Sequence, residues 1–429
     1  MADEIIRLSA LIDAGDLGQA ERGLRALLQE QPRNGLAWTH LARVALLAGH
    51  KDDAIELAAK AQDMEGPRQV LLPAIARIWM QAGVPGRGLP LLDALSSRKP
   101  DLQQLRGQLS WAAGRYDQAL RYFRQAHQSK PRVPSYAVSL GKALIAMGQR
   151  RKALAVLDKA AEGEAAMMAA WLRFSDRDPR ASLDVARRSP AREHPRLELM
   201  RAACHYLLGD PAAAEGALTR AGRDRRLEPA VTSLRYWQEQ GADARLLSVP
   251  SNVLRHGLKA APEQGLVLEF GVFHGRSIRQ IAAARPGPVH GFDSFSGLPE
   301  AWGREPAGSY STLGELPKVP DNVTLHAGWF DDTLPDFLAE HPGDSVALVH
   351  IDCDLYSSTR SVLEQLAERL VPGTVVVFDD YLGYRGWQDH EYRAWQEFVT
   401  SHRIQYRYLA MALAGREVAV RIDAVGSPT

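Results

Sequence analysis

The chain has 429 residues but only two cysteines, Cys204 and Cys353. They lie far apart and in no C-x-x-C or other zinc spacing, so neither a disulfide framework nor a structural zinc site is expected, and a reducing compartment is. Uninterrupted apolar runs all fall well short of the roughly 18 residues a spanning helix needs, so no membrane span is expected. The opening residues, MADEIIRLSA, carry acids early and lack an apolar core before a small-residue cleavage site. They do not read as a signal peptide, and a cytoplasmic protein is expected. Net charge is also scarce, at +1, but it is unevenly spread. Residues 1–225 carry 34 Lys and Arg against 25 Asp and Glu, whereas residues 226–429 carry 18 against 26. Either the basic half meets an acidic partner, or its charges are spread over solvated helix faces. No block of five or six like charges appears, and no nucleic-acid partner is expected. With 45% hydrophobic and 24% charged residues, disorder and fibrous classes are excluded, and the length allows two or three domains.

What is abundant in the first half is a repeated pair. A glycine followed five positions later by a small residue recurs as Gly15/Ala20, Gly49/Ala54, Gly83/Gly88, Gly114/Ala119, Gly148/Ala153 and Gly209/Ala214. The spacing between successive glycines is mostly 34 residues, the period of the tetratricopeptide repeat. LSWAAGRYDQALRYFRQAHQSKP, with Tyr116, Ala119, Phe123 and Pro131, resembles that family closely. Trp38, Leu41, Gly49 and Ala54 match in a second unit. Each unit reads as helix, tight turn and helix, and neighbours stack because one unit cannot bury its apolar face alone. The run from Glu162 to Leu197 departs from the pattern and holds at most a shortened unit. Such arrays bind an extended peptide or partner helix in a groove, or serve as spacer or dimerisation module. A protein partner and a homodimer are therefore both open. The expected division is 1–225 helical repeats, 226–249 linker or helix, and 250–429 a second domain.

From Gly265 the pattern changes to short apolar runs separated by helical stretches. Leu266–Phe270, Val289–Phe292, Val323–Ala327, Val346–Ile351 and Thr374–Phe378 read as buried strands, with helices at Arg276–Ala284 and Ser358–Leu370. Two last strands are expected near Tyr406–Leu409 and Val418–Ile422. This alternation predicts a mostly parallel, doubly wound sheet. Ligands bind beyond the carboxyl ends of such strands. Here those ends carry Glu269, Asp293, Asp352 and the pair Asp379-Asp380. Charged groups at the mouth of a buried sheet are costly unless a ligand or metal uses them. Ordinary helix caps explain one or two.

The first strand turn reads Glu269-Phe-Gly271-Val-Phe-His-Gly275-Arg-Ser277, not the G-x-G-x-x-G of a dinucleotide site. The spacing suits an amino-acid moiety and a nucleoside: Gly271 and Gly275 for close backbone approach, Ser277 and Glu269 for the amino-acid end, Asp293 for ribose hydroxyls. The strings GFDSFSGLPEAW, HAGWFDDTLP, HIDCDLYSST and VFDDY resemble the macrocin O-methyltransferase family, which acts on sugars in antibiotic biosynthesis. The resemblance covers about 170 residues. It implies a class I methyltransferase fold with a seven-stranded sheet and S-adenosylmethionine at the strand ends. The loops after the second and third strands, with Ser294, Phe295, Gly328, Trp329 and Phe330, join the expected cofactor contacts. It further implies magnesium held by Asp352, Asp379 and Asp380. Three carboxylates with no cysteine among them independently suit a hard cation such as Mg²⁺. Its role would be to bind the acceptor hydroxyls and lower the pKa of one.

Around these groups several readings stay open. Asp354 reads as a helix cap before Ser357 or as a group supporting the metal acids. His350 reads as a hydrogen-bonded core histidine rather than a ligand, and Cys353 as a small buried residue. After Tyr381 the stretch LGYRGWQDHEYRAWQEFV departs from the family pattern. His390 within it is a candidate general base or a solvated loop histidine. Trp387, Trp395 and Tyr384 either stack on a sugar or fill a helix core. Gly303–Asp321, rich in Gly, Pro and Ser, reads as a mobile loop over the ligand. The favoured function is O-methylation of a sugar, glycan or small hydroxylated metabolite. An adaptor that binds the cofactor without turnover, a protein methyltransferase and an NAD-linked oxidoreductase are the alternatives.

Overall fold

A computed structural model describes residues 2–160 and 162–426. The chain divides between Ala143 and Leu144 into two compact units. The first is built of consecutive helix pairs: Ala2–Asp13 with Leu17–Glu30, Gly35–Leu47 with Lys51–Gln62, Arg68–Gln81 with Pro85–Asp93, and Pro100–Ala112 with Tyr116–Ser129. The helices Pro134–Ala146 and Arg150–Leu157 follow, and Pro195–Leu207 pairs with Pro211–Ala221. The departing stretch forms two shorter helices, Gly163–Leu172 and Pro179–Arg188.

All six turn glycines have φ between +68° and +90°, a left-handed conformation that ends a helix at little cost only without a Cβ. The small residues five positions on, Ala20, Ala54, Ala119, Ala153 and Ala214, are fully buried. At Gly88 an added Cβ would lie 3.2 Å from the Ala76 side chain on the partner helix of its unit. The glycine thus turns the chain and the small residue lets the two helices of the unit close on each other.

The second unit carries one eight-stranded sheet: β1 (Arg245–Leu247), β2 (Leu266–Phe270), β3 (Val289–Asp293), β4 (Val323–Ala327), β5 (Val346–Ile351), β6 (Val375–Phe378), β7 (Ile404–Ala412) and β8 (Val418–Val425). Their order is β1-β7-β8-β6-β5-β2-β3-β4. Pairings are parallel except at β8, which runs antiparallel to β6 and β7. Every residue of β2, β5 and β6 is buried, as expected for parallel strands covered on both faces. The eighth strand, one more than the resemblance implies, comes from 226–249. That segment forms the helix Glu228–Gln240 and then β1, which pairs in parallel with β7. It is tied to the helical layer: Asp176 holds the Arg245 guanidinium at 2.5 and 2.6 Å and accepts from Leu246 N, and Trp171 Nε1 donates to Ser248 O at 3.0 Å. The chain runs outward from β2 to β3 and β4, then returns to β5 and β6 on the other side of β2. The junction of β2 and β5 is the topological switch point, where a ligand crevice opens.

Candidate active site

β2 and β5 lie in parallel register, with Glu269 opposite His350. Both side chains are sealed from solvent, and they meet at 2.8 Å between His350 Nδ1 and Glu269 Oε1. Burial pushes the Glu269 carboxyl above its usual range, while His350 and Ser277 pull it back. Its second oxygen, Oε2, is buried with no hydrogen-bond partner. An unpartnered buried carboxylate oxygen is costly, and here it marks a place for a ligand donor.

The loop after β2 passes close under β5. Gly271 has φ +94°, and an added Cβ would sit 1.7 Å from the Asp352 carbonyl oxygen. Glycine is therefore demanded first by strand packing. The loop is then held by Asp293 at the end of β3: Oδ2 accepts from Val272 N at 2.8 Å and Phe273 N at 2.7 Å, and Oδ1 from Phe295 N at 2.7 Å. Asp293 thus organises the loop through Gly275, where the helix Arg276–Ala284 begins, with Ser277 buried in its first turn. Ser294 Oγ donates to Gly297 O, and Phe295 is buried with φ +55°. The Phe295 carbonyl anchors the next loop by accepting from Thr312 N and Gly314 N at 3.1 and 3.0 Å. On the β4 side, Gly328 N donates to Asp293 O at 3.0 Å. Trp329 is 44% exposed, at the head of the helix Phe330–Glu340. Phe330 packs edge-on against Phe270.

The acids after β5 and β6 fall into two groups. His350, Asp352 and Asp379 each place one ligand atom within 4.8 Å of the others, and they are the only such trio among the described residues. Burial, then the charges of Asp379, Asp354 and Asp380, drives the Asp352 carboxyl well above its usual range. Such crowding of negative charge is relieved by a cation. The two carboxylates suit a hard divalent cation such as Mg²⁺ or Mn²⁺, and the imidazole shifts the preference toward transition-metal ions. In the tautomer that gives Nδ1–H to Glu269, His350 Nε2 presents its lone pair, the arrangement carboxylates impose on metal-binding histidines.

Asp380 stands outside this trio. Its carboxylate, nearly sealed from solvent, accepts from Arg416 at 2.6 Å. Its backbone N–H donates to the fully buried Glu391 at 3.0 Å. Asp354 has φ +63°, and its carboxyl is raised by burial and by the charge of Asp380. It is not a helix cap: Leu355 holds the N-cap position of Tyr356–Leu366, and no side chain caps it. Trp387 and Trp395 are core, at 4% and 0% exposure, and do not face an acceptor. Trp302, Tyr384 and His390 instead form an aromatic corner, with ring centroids 5.5 to 6.3 Å apart. Burial holds the His390 imidazole below its usual pKa, so it is a neutral base at pH 7. Arg416, Glu391 and Trp302 carry no local sequence signal, because each takes its meaning from a partner distant along the chain. Cys353 is buried 3.5 Å from Thr359 Oγ1.

Comparison with known proteins assigns this sheet and its loops to a class. Residues 268–381 match the methyltransferase domain family. Residues 7–67 and 110–171 match tetratricopeptide repeat families. The chain thus carries tetratricopeptide repeats followed by a methyltransferase domain. Among curated relatives, the mycinamicin III 3''-O-methyltransferase of Micromonospora griseorubida is 29% identical over 160 residues, 30% of this chain and 61% of that protein. The demethyldecarbamoylnovobiocin O-methyltransferase of Streptomyces niveus is 30% identical over 157 residues, 30% of this chain and 58% of that one. This chain therefore spans less than two thirds of the length of the relatives it matches. A calicheamicin methyltransferase of known structure aligns at 22% identity over 52% of this chain and 91% of its own, with a TM-score of 0.31. No helix among the described residues is long and apolar enough to cross a membrane.

Proposed function

We propose that the chain is an S-adenosylmethionine-dependent O-methyltransferase acting on a hydroxyl of a sugar, glycan or small natural product. The observation that carries this reading is the meeting of the Gly271–Gly275 loop, the unpartnered Glu269 oxygen and the acids after β5 and β6 at one switch point. The donor's amino-acid end would lie by Glu269 and Ser277, and its nucleoside against the loops after β3 and β4. The sulfonium methyl passes to the acceptor oxygen, S-adenosylhomocysteine leaves, and the hydroxyl proton passes to a base, for which His390 Nε2 or Nδ1 is placed beside Trp302 and Tyr384. His350, Asp352 and Asp379 would hold a divalent cation, whose positive charge would favour the ionised hydroxyl. The curated relatives, named for O-methylation of mycinamicin III and of demethyldecarbamoylnovobiocin, support the chemistry.

In the repeats, a groove of about 600 Å³ lined by Trp38, Leu41, Val44 and Leu57 would take a protein partner, a second copy of the chain or the substrate's carrier. The test is release of S-adenosylhomocysteine over a panel of hydroxylated sugars. Asp352→Ala should lower turnover by at least about 100-fold while keeping the thermal shift given by S-adenosylmethionine. Full activity in that variant rejects the cation-assisted mechanism. Donor binding with no turnover on any acceptor favours the adaptor reading.

A further inference from the structure

We infer that Arg416 is a built-in counter-cation that keeps Asp380 out of the metal sphere, leaving His350, Asp352 and Asp379 as the cation site. This rests on the cation reading above and changes its ligand set. Asp380 is one of two adjacent acids, yet the fold sends them to different partners. Asp379, with 28% of its side chain exposed, lies 3.9 Å from His350 Nε2. Asp380, with 6% exposed, is closed off by the Arg416 guanidinium.

Arg416 is fixed at both ends, so this pairing is no chance surface contact. Its carbonyl accepts from Tyr381 N and Leu382 N at 3.2 and 3.3 Å. Its own N–H donates to Glu417 Oε2 at 3.0 Å. Its guanidinium lies 5.6 Å from the Trp302 ring centre and 5.1 Å from that of Tyr384, the stacked geometry in which arginine is most rigid. The hairpin that carries it is seated so closely that an added Cβ at Gly383 would strike the Gly415 carbonyl oxygen at 2.2 Å. On the far side, the Asp354 carboxyl is raised by the charge of Asp380, and Glu391 accepts the Asp380 backbone N–H.

Asp380 therefore already has a full unit of positive charge in direct contact. A divalent cation sharing that carboxylate would face the guanidinium across it, and the two like charges would repel. No equivalent cation contacts Asp352 or Asp379 in any ion pair among the described residues, apart from the histidine that shares their cluster. Arg416 acts through Asp380, so it is a positioning residue.

Titration calorimetry with MnCl₂ on the full chain tests this. Asp380→Asn should leave Mn²⁺ affinity within about threefold, whereas Asp379→Asn should weaken it by about tenfold or more. Arg416→Met should tighten Mn²⁺ binding by about tenfold, because it frees a third carboxylate for the cation. Equal losses in Asp380→Asn and Asp379→Asn overturn the inference, as does unchanged affinity in folded Arg416→Met. If the unaltered chain binds no Mn²⁺, the cation reading fails. The inference then stands if Arg416→Met gains binding and falls if it does not.

Discussion

In the helical repeats, Gly15, Gly49, Gly83 and Gly209 sit at left-handed turns with nothing within 4 Å of an added Cβ. In the methyltransferase unit, Gly271 has nearly the same backbone angle but lies against a carbonyl of another strand. The first kind of glycine answers only to its own turn. The second answers to a strand 81 positions away, since the turn that follows Glu269 must clear the one that follows His350. The repeats are thus stabilised by short-range rules applied many times. The site exists only where several distant segments meet.

Gly271→Ala is the sharpest way to break that contrast. The new methyl would overlap the Asp352 carbonyl, and the loop cannot move aside without releasing the two backbone N–H groups, of Val272 and Phe273, that Asp293 holds. A cost above about 4 kcal/mol is expected, at the severe end for a single substitution. Thermal unfolding should show loss of the thermal shift given by S-adenosylmethionine, while the helical signal of the repeats persists. A Gly271→Ala protein with an undiminished donor shift would mean that the loop packs differently.

Ala119→Leu probes the other side of the comparison. Ala119 is fully buried between the helices of its unit, so a larger side chain overpacks the pair at about 1–3 kcal/mol. Circular dichroism should show the lowered transition, and turnover on a good acceptor should be unchanged. A matching fall in turnover would contradict the local character of the repeats.

The same division explains what could be read before any coordinates. The six glycine pairs were legible because their determinants lie within one repeat. The strands Leu266–Phe270 and Val346–Ile351 were legible because fully buried parallel strands are continuous apolar runs. What stayed hidden was pairing. Arg245–Leu247 is too short and too mixed to announce a strand, and it becomes one through β7 and Asp176. Asp354 sits where a cap belongs, yet its partner is Asp380. Trp387 and Trp395 have the composition of a sugar platform, but Tyr236, Tyr392 and Phe378 enclose them. Sequence spacing indicates that a side chain is buried, not which group it meets.

Long-range assembly also predicts a pH response. His290 on β3 contacts His326 on β4 at 3.2 Å, with His341 packed beside it. Burial, then the charges of His326 and His341, pushes the His290 imidazole down to about 4 from 6.5. Above pH 6.5 the ring is neutral folded or unfolded, so it adds no pH dependence. Between pH 6.5 and 4 the unfolded chain takes up a proton that the folded chain refuses, so stability falls as pH drops and levels off below 4. Partial exposure limits the loss to about 2 kcal/mol. His290→Gln should flatten this part of a stability-against-pH curve measured with urea. An unchanged slope would show that the ring is not refusing the proton.

The smallest expected effect repeats the largest substitution in the other setting. Gly49→Ala places a methyl at φ +90°, close to the +94° of Gly271, but in open space. Only the left-handed backbone then costs anything, about 1 kcal/mol, part of which is recovered because alanine restricts the unfolded chain. The ratio of the two losses measures how much of the Gly271 requirement is contact with β5 rather than backbone angle. If Gly49→Ala proved as damaging as Gly271→Ala, the turn itself would be the common cause, and the distinction between local repeats and a long-range site would fail at the residue that displays it best.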